Sequence, residues 1–114
     1  MDAESLRRLV WQLWLRNKAV TLGRLETVRS AVDRLAAGDL DPSSREVARA
    51  EAHKLRGVLG TYGFGDASEV AGEAEDLLRG EGHEADVAGL ARRLAACAQD
   101  LESASDTSGL PPAG

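Results

Sequence analysis

The stretch AEAHKLRGVLGTYGFGD, residues 50–66, contains both a helical pattern and the end of that pattern. Its apolar residues recur at three- and four-residue spacing on one side of a helix: Leu55, Val58, Leu59 and Tyr62. Glycines follow at positions 63 and 65, and glycine commonly ends a helix and turns the chain. The stretch therefore predicts a helix that packs by one face and is followed directly by a turn into another helix.

Helical periodicity continues on both sides of this stretch. Apolar residues three and four positions apart predict five helices, at residues 5–18, 19–37, 44–62, 66–79 and 85–103. The last helix has a narrow apolar seam, typical of antiparallel bundles, formed by Val87, Leu90, Leu94, Cys97 and Leu101. No segment shows the alternation of a strand. We therefore expect an all-α fold, an antiparallel up-down four-helix bundle with an additional short N-terminal helix.

Turn-forming residues separate the predicted helices. Gly38 is a natural stop for the second helix, and Asp41 or Ser43 is available as the N-cap of the third. The final ten residues, SDTSGLPPAG, are polar and rich in proline and glycine. We therefore expect residues 1–104 to form the bundle and residues 105–114 to be a disordered tail or a linker.

Length and composition limit the classes of function. A chain of 114 residues forms one domain with one core, and a single cysteine excludes a disulfide framework within the chain. The net charge of −5 makes nucleic acid a poor partner, although residues 1–57 carry 11 Lys/Arg against 8 Asp/Glu. No apolar run approaches the roughly 18 residues of a membrane span. We expect a cytoplasmic protein that contacts neither nucleic acid nor membrane.

His53 marks one stripe of the third predicted helix. At about 100° per residue, six residues fall within about 60° of it: Glu46, Arg49, Ala50, Arg56, Gly57 and Gly60. The apolar residues named above fall on the opposite side together with Val47 and Ala48, so we expect that side to face the core. Glu51 falls close to the core side and is expected at the rim of the bundle.

The stripe has a distinct chemical character. Gly57 and Gly60 each weaken the helix by up to about 1 kcal/mol relative to alanine, which is consistent with close approach by another molecule. An exposed imidazole is a nucleophile near neutral pH, and Arg56, one turn further on, is placed to bond the oxygens of a phosphoryl group on it. Lys54 points elsewhere and is a weaker candidate for that role. The simpler alternative is an ordinary surface histidine.

These residues resemble the histidine-containing phosphotransfer (HPt) domains of bacterial phosphorelays. In that family the His directly follows an Ala. An apolar residue stands two positions after the His, a Lys three, a Gly four, and a further Gly ten positions after it. The corresponding residues are Ala52, His53, Leu55, Arg56, Gly57 and Gly63. In the following helix, Val70, Ala74 and Glu75 stand where the family tends to have two apolar residues and Glu. Arg56 in place of Lys is the main departure, and Ala67 is a milder one.

The resemblance implies a phosphoryl carrier rather than an enzyme. His53 would accept the group on the ring nitrogen farther from the backbone and exchange it with an aspartate of a response-regulator receiver domain, or accept it from a histidine kinase, including a hybrid sensor kinase. Arg56 would steady the group. Partner docking would involve Arg49, Ala50, Gly57 and Gly60. No intrinsic cofactor or metal is implied, since Mg²⁺ and the acidic groups that bind it belong to the receiver. The stripe agrees with this, because Glu46 is the only acidic residue on it.

Four other features have simpler interpretations. His83 is expected in a solvated turn, and Cys97 is expected to fill space on the core face. Trp11 and Trp14 are expected to close the open end of the bundle in a monomer, with a homodimer contact through them as the alternative. The acidic residues after the glycine turn are expected to form a solvated face: Asp66, Glu69, Glu73, Glu75 and Asp76.

Two functional alternatives remain open at this stage. The first is a helical interaction module that binds partners through the His53 face without transferring phosphate. The second is an enzyme with His53 as general base, which the absence of a partner acid and a concave site disfavours.

Overall fold

The computed structural model describes residues 2–80 and 86–104. Within these ranges the chain forms four helices and no strand: α1 (Ala3–Ala36), α2 (Pro42–Thr61), α3 (Gly65–Arg79) and α4 (Val87–Ser103). Each helix contacts the next along the chain, and α4 contacts α1, so the four helices surround one core. The predicted all-α bundle is confirmed. The turn predicted around His83 and the tail predicted at 105–114 lie outside the described residues.

The N-terminal segment is helical, as predicted, but it is not a separate helix. The segments 5–18 and 19–37 form one continuous helix, α1, of 34 residues. No proline stands near their junction, and Gly23, the first glycine after it, is itself helical. The buried residues Trp14, Thr21 and Leu25 continue one face across the junction. The predicted division into two helices near residue 18 is therefore wrong.

Trp11 and Trp14 are buried inside the molecule. The ring centroid of Trp14 lies 4.9 Å from that of Phe64 and 5.5 Å from that of Tyr62. The indole of Trp14 also donates a hydrogen bond of 3.1 Å to the carbonyl of Ala104 at the end of α4. The two rings thus close one end of the bundle as expected, and the alternative of a homodimer contact through them is wrong because their surfaces are already covered.

The core face of α2 is rotated slightly from the predicted one. Ala48, Ala52, Leu55 and Leu59 are fully buried. Val47, predicted to face the core, is 55% exposed because it lies one position before this row of residues. Glu51 lies at the rim, as predicted, where it accepts a hydrogen bond of 2.7 Å from Arg24 of α1.

The turn between α2 and α3 places the two helices side by side. Gly63 adopts a positive φ of 89°, which a side chain would strain. The amide of Gly63 donates to the carbonyl of Gly60, and the amide of Phe64 donates to the carbonyl of Leu59. These bonds end α2 and reverse the chain within three residues, so that α3 runs back along the His53 side of α2.

No helix in the described part of the chain is both long and apolar enough to cross a membrane.

Candidate functional site

His53 stands on the outer side of α2, and its side chain is 68% exposed. Ala52, the residue before it, is fully buried against the core, which holds this turn of the helix in place. The prediction that His53 points to solvent is therefore confirmed. Its ring is accessible to a second molecule while its backbone is part of a well-packed helix.

The Nδ1 atom of His53 lies 2.8 Å from Oε2 of Glu75, which comes from α3. The side chain of Glu75 is only 1% exposed. The prediction that Glu75 belongs to a solvated face is wrong. Glu75 is not part of the α2 stripe, on which Glu46 is the acid, and it reaches His53 from α3. Glu75 follows buried Ala71 by four residues and precedes buried Leu78 by three, so it lies on the inner face of α3. The solvated interpretation holds for Asp66, Glu69 and Glu73, which are exposed.

Three arginines surround the buried carboxylate of Glu75. Arg79 donates a hydrogen bond of 2.8 Å to Oε2, and an Arg49 nitrogen lies 3.9 Å from the same oxygen. Arg56 places a guanidinium nitrogen 3.6 Å from Oε1. A buried carboxylate requires such partners, because an unpaired buried charge is strongly unfavourable. Glu75 is thus the centre of a cluster formed by His53, Arg49, Arg56, Glu75 and Arg79, here called the Glu75 cluster.

The Glu75 cluster determines which ring nitrogen of His53 carries the proton and which one presents an unprotonated lone pair to solvent. A carboxylate flanked by arginines accepts hydrogen bonds, so we assign the proton of the His53–Glu75 pair to Nδ1. In the neutral ring the other nitrogen, Nε2, is then unprotonated. The exposed edge of the ring therefore presents a nucleophilic nitrogen, and the buried edge is held in one orientation.

Arg49 also connects the cluster to the exposed part of the predicted stripe. Its guanidinium donates two hydrogen bonds to Glu46, of 2.9 and 2.6 Å. These bonds from Arg49 lower the pKa of Glu46, and the bonds to Glu46 raise the pKa of Arg49. Both side chains therefore remain charged, and Arg49 is held between an outer and an inner carboxylate.

The structure places Lys54 on another side of α2. Its ammonium group lies 3.7 Å from Glu51, which in turn pairs with Arg24 of α1. Arg56, by contrast, reaches across α3 towards Glu75. Of the two cations named as candidates for steadying a phosphoryl group, only Arg56 is a member of the Glu75 cluster.

The three small residues of the stripe have different surroundings. Gly57 is exposed, and nothing lies within 4 Å of the position that a Cβ would occupy there. At Gly60 the same position lies 3.5 Å from the hydroxyl of Ser68 on α3. Ala50 is partly buried. Gly57 is therefore the most open point of the stripe beside His53.

The described residues outside the stripe form no second cluster of metal-ligating side chains. Among residues 2–80 and 86–104, no group of three or more His, Cys, Asp or Glu side chains is placed to hold a metal ion. Cys97 is partly buried against the core, and this burial raises the pKa of its thiol. The core-filling interpretation of Cys97 fits this position.

Two site residues on α3 were not predicted: Glu75 as the partner of His53, and Arg79 as a partner of Glu75. Their four-residue spacing on α3 is a signal for an ion pair, and the family pattern already placed a glutamate at position 75. The contact between Glu75 and His53 depends on how α3 packs against α2, and the spacing within either helix does not reveal that packing.

The chain matches the model of a known protein family. The family model of the Hpt domain matches residues 21–107, which is more than half of the chain. No curated protein and no solved structure matches the chain.

Proposed function

Because the chain belongs to the Hpt domain family, we propose that it is a phosphorelay carrier that bears a phosphoryl group on His53. Hpt domains are phosphocarrier modules of two-component signalling rather than enzymes in the usual sense. The observation that carries the assignment to His53 is the 2.8 Å contact between its Nδ1 atom and buried Glu75, which leaves Nε2 directed to solvent. The expected cytoplasmic location and monomeric state are parts of this proposal.

The transfer step follows from the state of the ring. The lone pair of Nε2 attacks the phosphorus of an aspartyl phosphate on a receiver domain, a nitrogen–phosphorus bond forms, and the phosphorus–oxygen bond to the aspartate breaks. The aspartate leaves as a carboxylate. The ring keeps the proton on Nδ1 and becomes positively charged, and the negative charge of Glu75 stabilises it. The same arrangement allows the reverse step, in which a receiver aspartate displaces the ring.

The cations of the Glu75 cluster suit a phosphoryl group. Three arginines face two carboxylates, Glu75 and Glu46, so these five side chains together carry one more positive than negative charge. Arginine is suited to phosphate oxygens because its planar guanidinium donates several hydrogen bonds at once. Arg56, one turn after His53, is our candidate for the contact with the transferred group.

Docking of the partner uses the open part of the stripe. The free space beside Gly57 allows another molecule to approach the ring, and Arg49, Ala50 and Gly60 would contribute to the same surface. We assign Mg²⁺ and the acidic groups that bind it to the receiver domain of a response regulator or of a hybrid sensor kinase. In this proposal the carrier supplies the nucleophile, its orientation and the positive charge around it.

The test is phosphoryl exchange with a panel of purified receiver domains. Each receiver is phosphorylated with a labelled small-molecule or kinase donor and mixed with the carrier in Mg²⁺. Label is expected to move to the carrier for at least one receiver, and chelation of Mg²⁺ is expected to stop the movement without altering the circular dichroism of the carrier. Binding of receivers without any exchange of label would instead favour the interaction module that lacks phosphotransfer.

A further inference from the structure

Gly72 lies in the interior of α3 and is buried beneath the side chain of Arg56. A Cβ atom at position 72 would lie 3.2 Å from Nε, 3.3 Å from Cδ and 3.5 Å from Cζ of Arg56. Glycine inside a helix costs about 1 kcal/mol relative to alanine, so its presence here calls for a physical reason. We propose that Gly72 is a positioning residue that lets the Arg56 guanidinium lie across α3 and reach Glu75. This inference rests on the proposed function of His53 and extends it to a residue outside the stripe.

Three residues of α3 contact Arg56 in succession. Ser68 donates a hydrogen bond of 2.7 Å to the backbone carbonyl of Arg56, Gly72 underlies its side chain, and Glu75 faces its guanidinium. Their spacing of four and three residues places them on one ridge of the helix. The ridge therefore contacts Arg56 from its backbone carbonyl to its guanidinium. A methyl group at position 72 would occupy part of the space that the Arg56 side chain uses.

Gly72 packs against one side chain of α2, and close approach of the α2 backbone does not explain it. The three atoms nearest to the added Cβ all belong to the Arg56 side chain, and none of them is a backbone atom. Contacts of 3.2 and 3.3 Å are tighter than normal, so the neighbour must move when a methyl group is added. Arg56 is 58% exposed and has free solvent beside it. A substitution at Gly72 is therefore expected to displace Arg56 rather than to disrupt the core.

Gly72 also fits the main departure from the HPt pattern, the arginine at position 56. Arginine carries a planar group that begins at Nε, and Nε is the atom that lies closest to position 72. A residue without a side chain beneath this group gives it room to lie flat against α3. In this chain the arginine at position 56 and the glycine at position 72 thus form a matched pair.

The test is a double-mutant cycle with three variants, Gly72→Ala, Arg56→Ala and the combination, and with Gly23→Ala as the matched control. Gly23 is also inside a helix, and nothing lies within 4 Å of its added Cβ. Gly72→Ala is expected to slow phosphoryl transfer about five-fold, the effect of one charge-assisted contact at a half-exposed site. In the Arg56→Ala background it is expected to have no further effect. Gly23→Ala is expected to leave transfer unchanged.

A crystal structure of Gly72→Ala provides a readout that needs no partner. The guanidinium of Arg56 is expected to move away from position 72, and its distance to Glu75 is expected to increase from 3.6 Å. The positioning role would be overturned if Arg56 has the same position in the Gly72→Ala structure as in the wild type. It would also be overturned if Gly72→Ala slows phosphoryl transfer equally in the presence and absence of Arg56. A wild-type carrier that takes no label from any receiver would instead overturn the proposed function, and the crystal structure would still decide whether Gly72 positions Arg56.

Discussion

Oε2 of Glu75 lies 2.8 Å from Nδ1 of His53, although the two residues belong to different helices and are 22 positions apart. The contact joins an exposed imidazole to a carboxylate that solvent does not reach. It fixes the orientation of the ring, assigns the proton to Nδ1 and provides a negative charge beside the ring cation that forms during transfer. The carrier therefore needs α3 as well as the helix that bears the histidine.

Replacement of Glu75 tests this relationship. Glu75→Gln keeps a hydrogen-bond acceptor for Nδ1 but removes the charge, so phosphoryl transfer is expected to slow about ten-fold, which corresponds to about 1.4 kcal/mol. Glu73→Gln is the matched control, because it removes the same charge from an exposed position of α3 that pairs with Arg93 instead. Transfer rates measured with one labelled receiver compare the two variants. Equal rates for Glu75→Gln and Glu73→Gln would contradict the role of Glu75.

The two basic residues after His53 are expected to differ in effect. Arg56→Ala removes a cation that faces Glu75, and we expect roughly five-fold slower transfer. Lys54→Ala removes a cation that pairs with Glu51 on another side of α2, and we expect a change of less than about two-fold. Single-turnover transfer measurements distinguish them. A larger loss with Lys54→Ala than with Arg56→Ala would show that the wrong cation has been assigned.

An obstructing side chain at Gly57 tests the docking surface. Gly57→Arg places a large group in the open space one turn from His53 and is expected to reduce transfer at least about ten-fold by preventing approach of the partner. Gly23→Arg is the control, since it adds the same side chain to an equally open position on α1. Both variants are expected to stay folded, because arginine favours helix more than glycine does. Unchanged transfer kinetics in Gly57→Arg would show that the partner docks elsewhere.

Stability at low pH is expected to depend on the N-cap of α2. The hydrogen bond from Ser44 to the Asp41 side chain lowers the pKa of Asp41 in the folded protein. Its stabilising contribution is therefore complete above the ordinary pKa of an aspartate and is lost as the pH falls through the lowered value. Thermal unfolding followed from about pH 7 to about pH 3 measures this loss.

Two variants separate the cap from its charge. Asp41→Asn retains the acceptor without titrating, so its melting temperature is expected to fall less steeply with decreasing pH than that of the wild type. Asp41→Ala is expected to melt at a lower temperature even near neutral pH. If Asp41→Asn shows the same dependence on pH as the wild type, the titration of Asp41 does not contribute.

The residues that share one face of a helix were largely predictable from the sequence. The seam of α4 is buried at Val87, Leu90, Leu94 and Leu101, because spacing within one helix decides which residues share a face. The division of α1 was wrong, since the apolar pattern changes near residue 18 without any residue that breaks a helix. The prediction that Val47 faces the core was wrong for a related reason. Neighbouring positions on α2 face different directions, so Val47 is exposed whereas Ala48 is buried.

The site was predictable only as far as it lies on one helix. His53, Arg49, Arg56 and Gly57 share a stripe of α2, so their spacing was enough to group them. Glu75 was grouped with its acidic neighbours on α3 because composition alone does not show which carboxylate turns inward. Its pairing with His53 depends on the turn at Gly63, which determines how the two helices lie side by side. Contacts between helices are the part that the sequence did not reveal.

The central claim is that His53 carries the phosphoryl group, and chemical identification of the phosphorylated residue tests it most directly. The wild-type protein and His53→Gln are incubated with the same labelled receiver, and the label is followed by acid and base treatment and by peptide mapping. The expected product is an acid-labile, base-stable phosphoprotein labelled at His53 through Nε2, with no label in His53→Gln, whose circular dichroism matches the wild type. Label that persists in His53→Gln would contradict the claim.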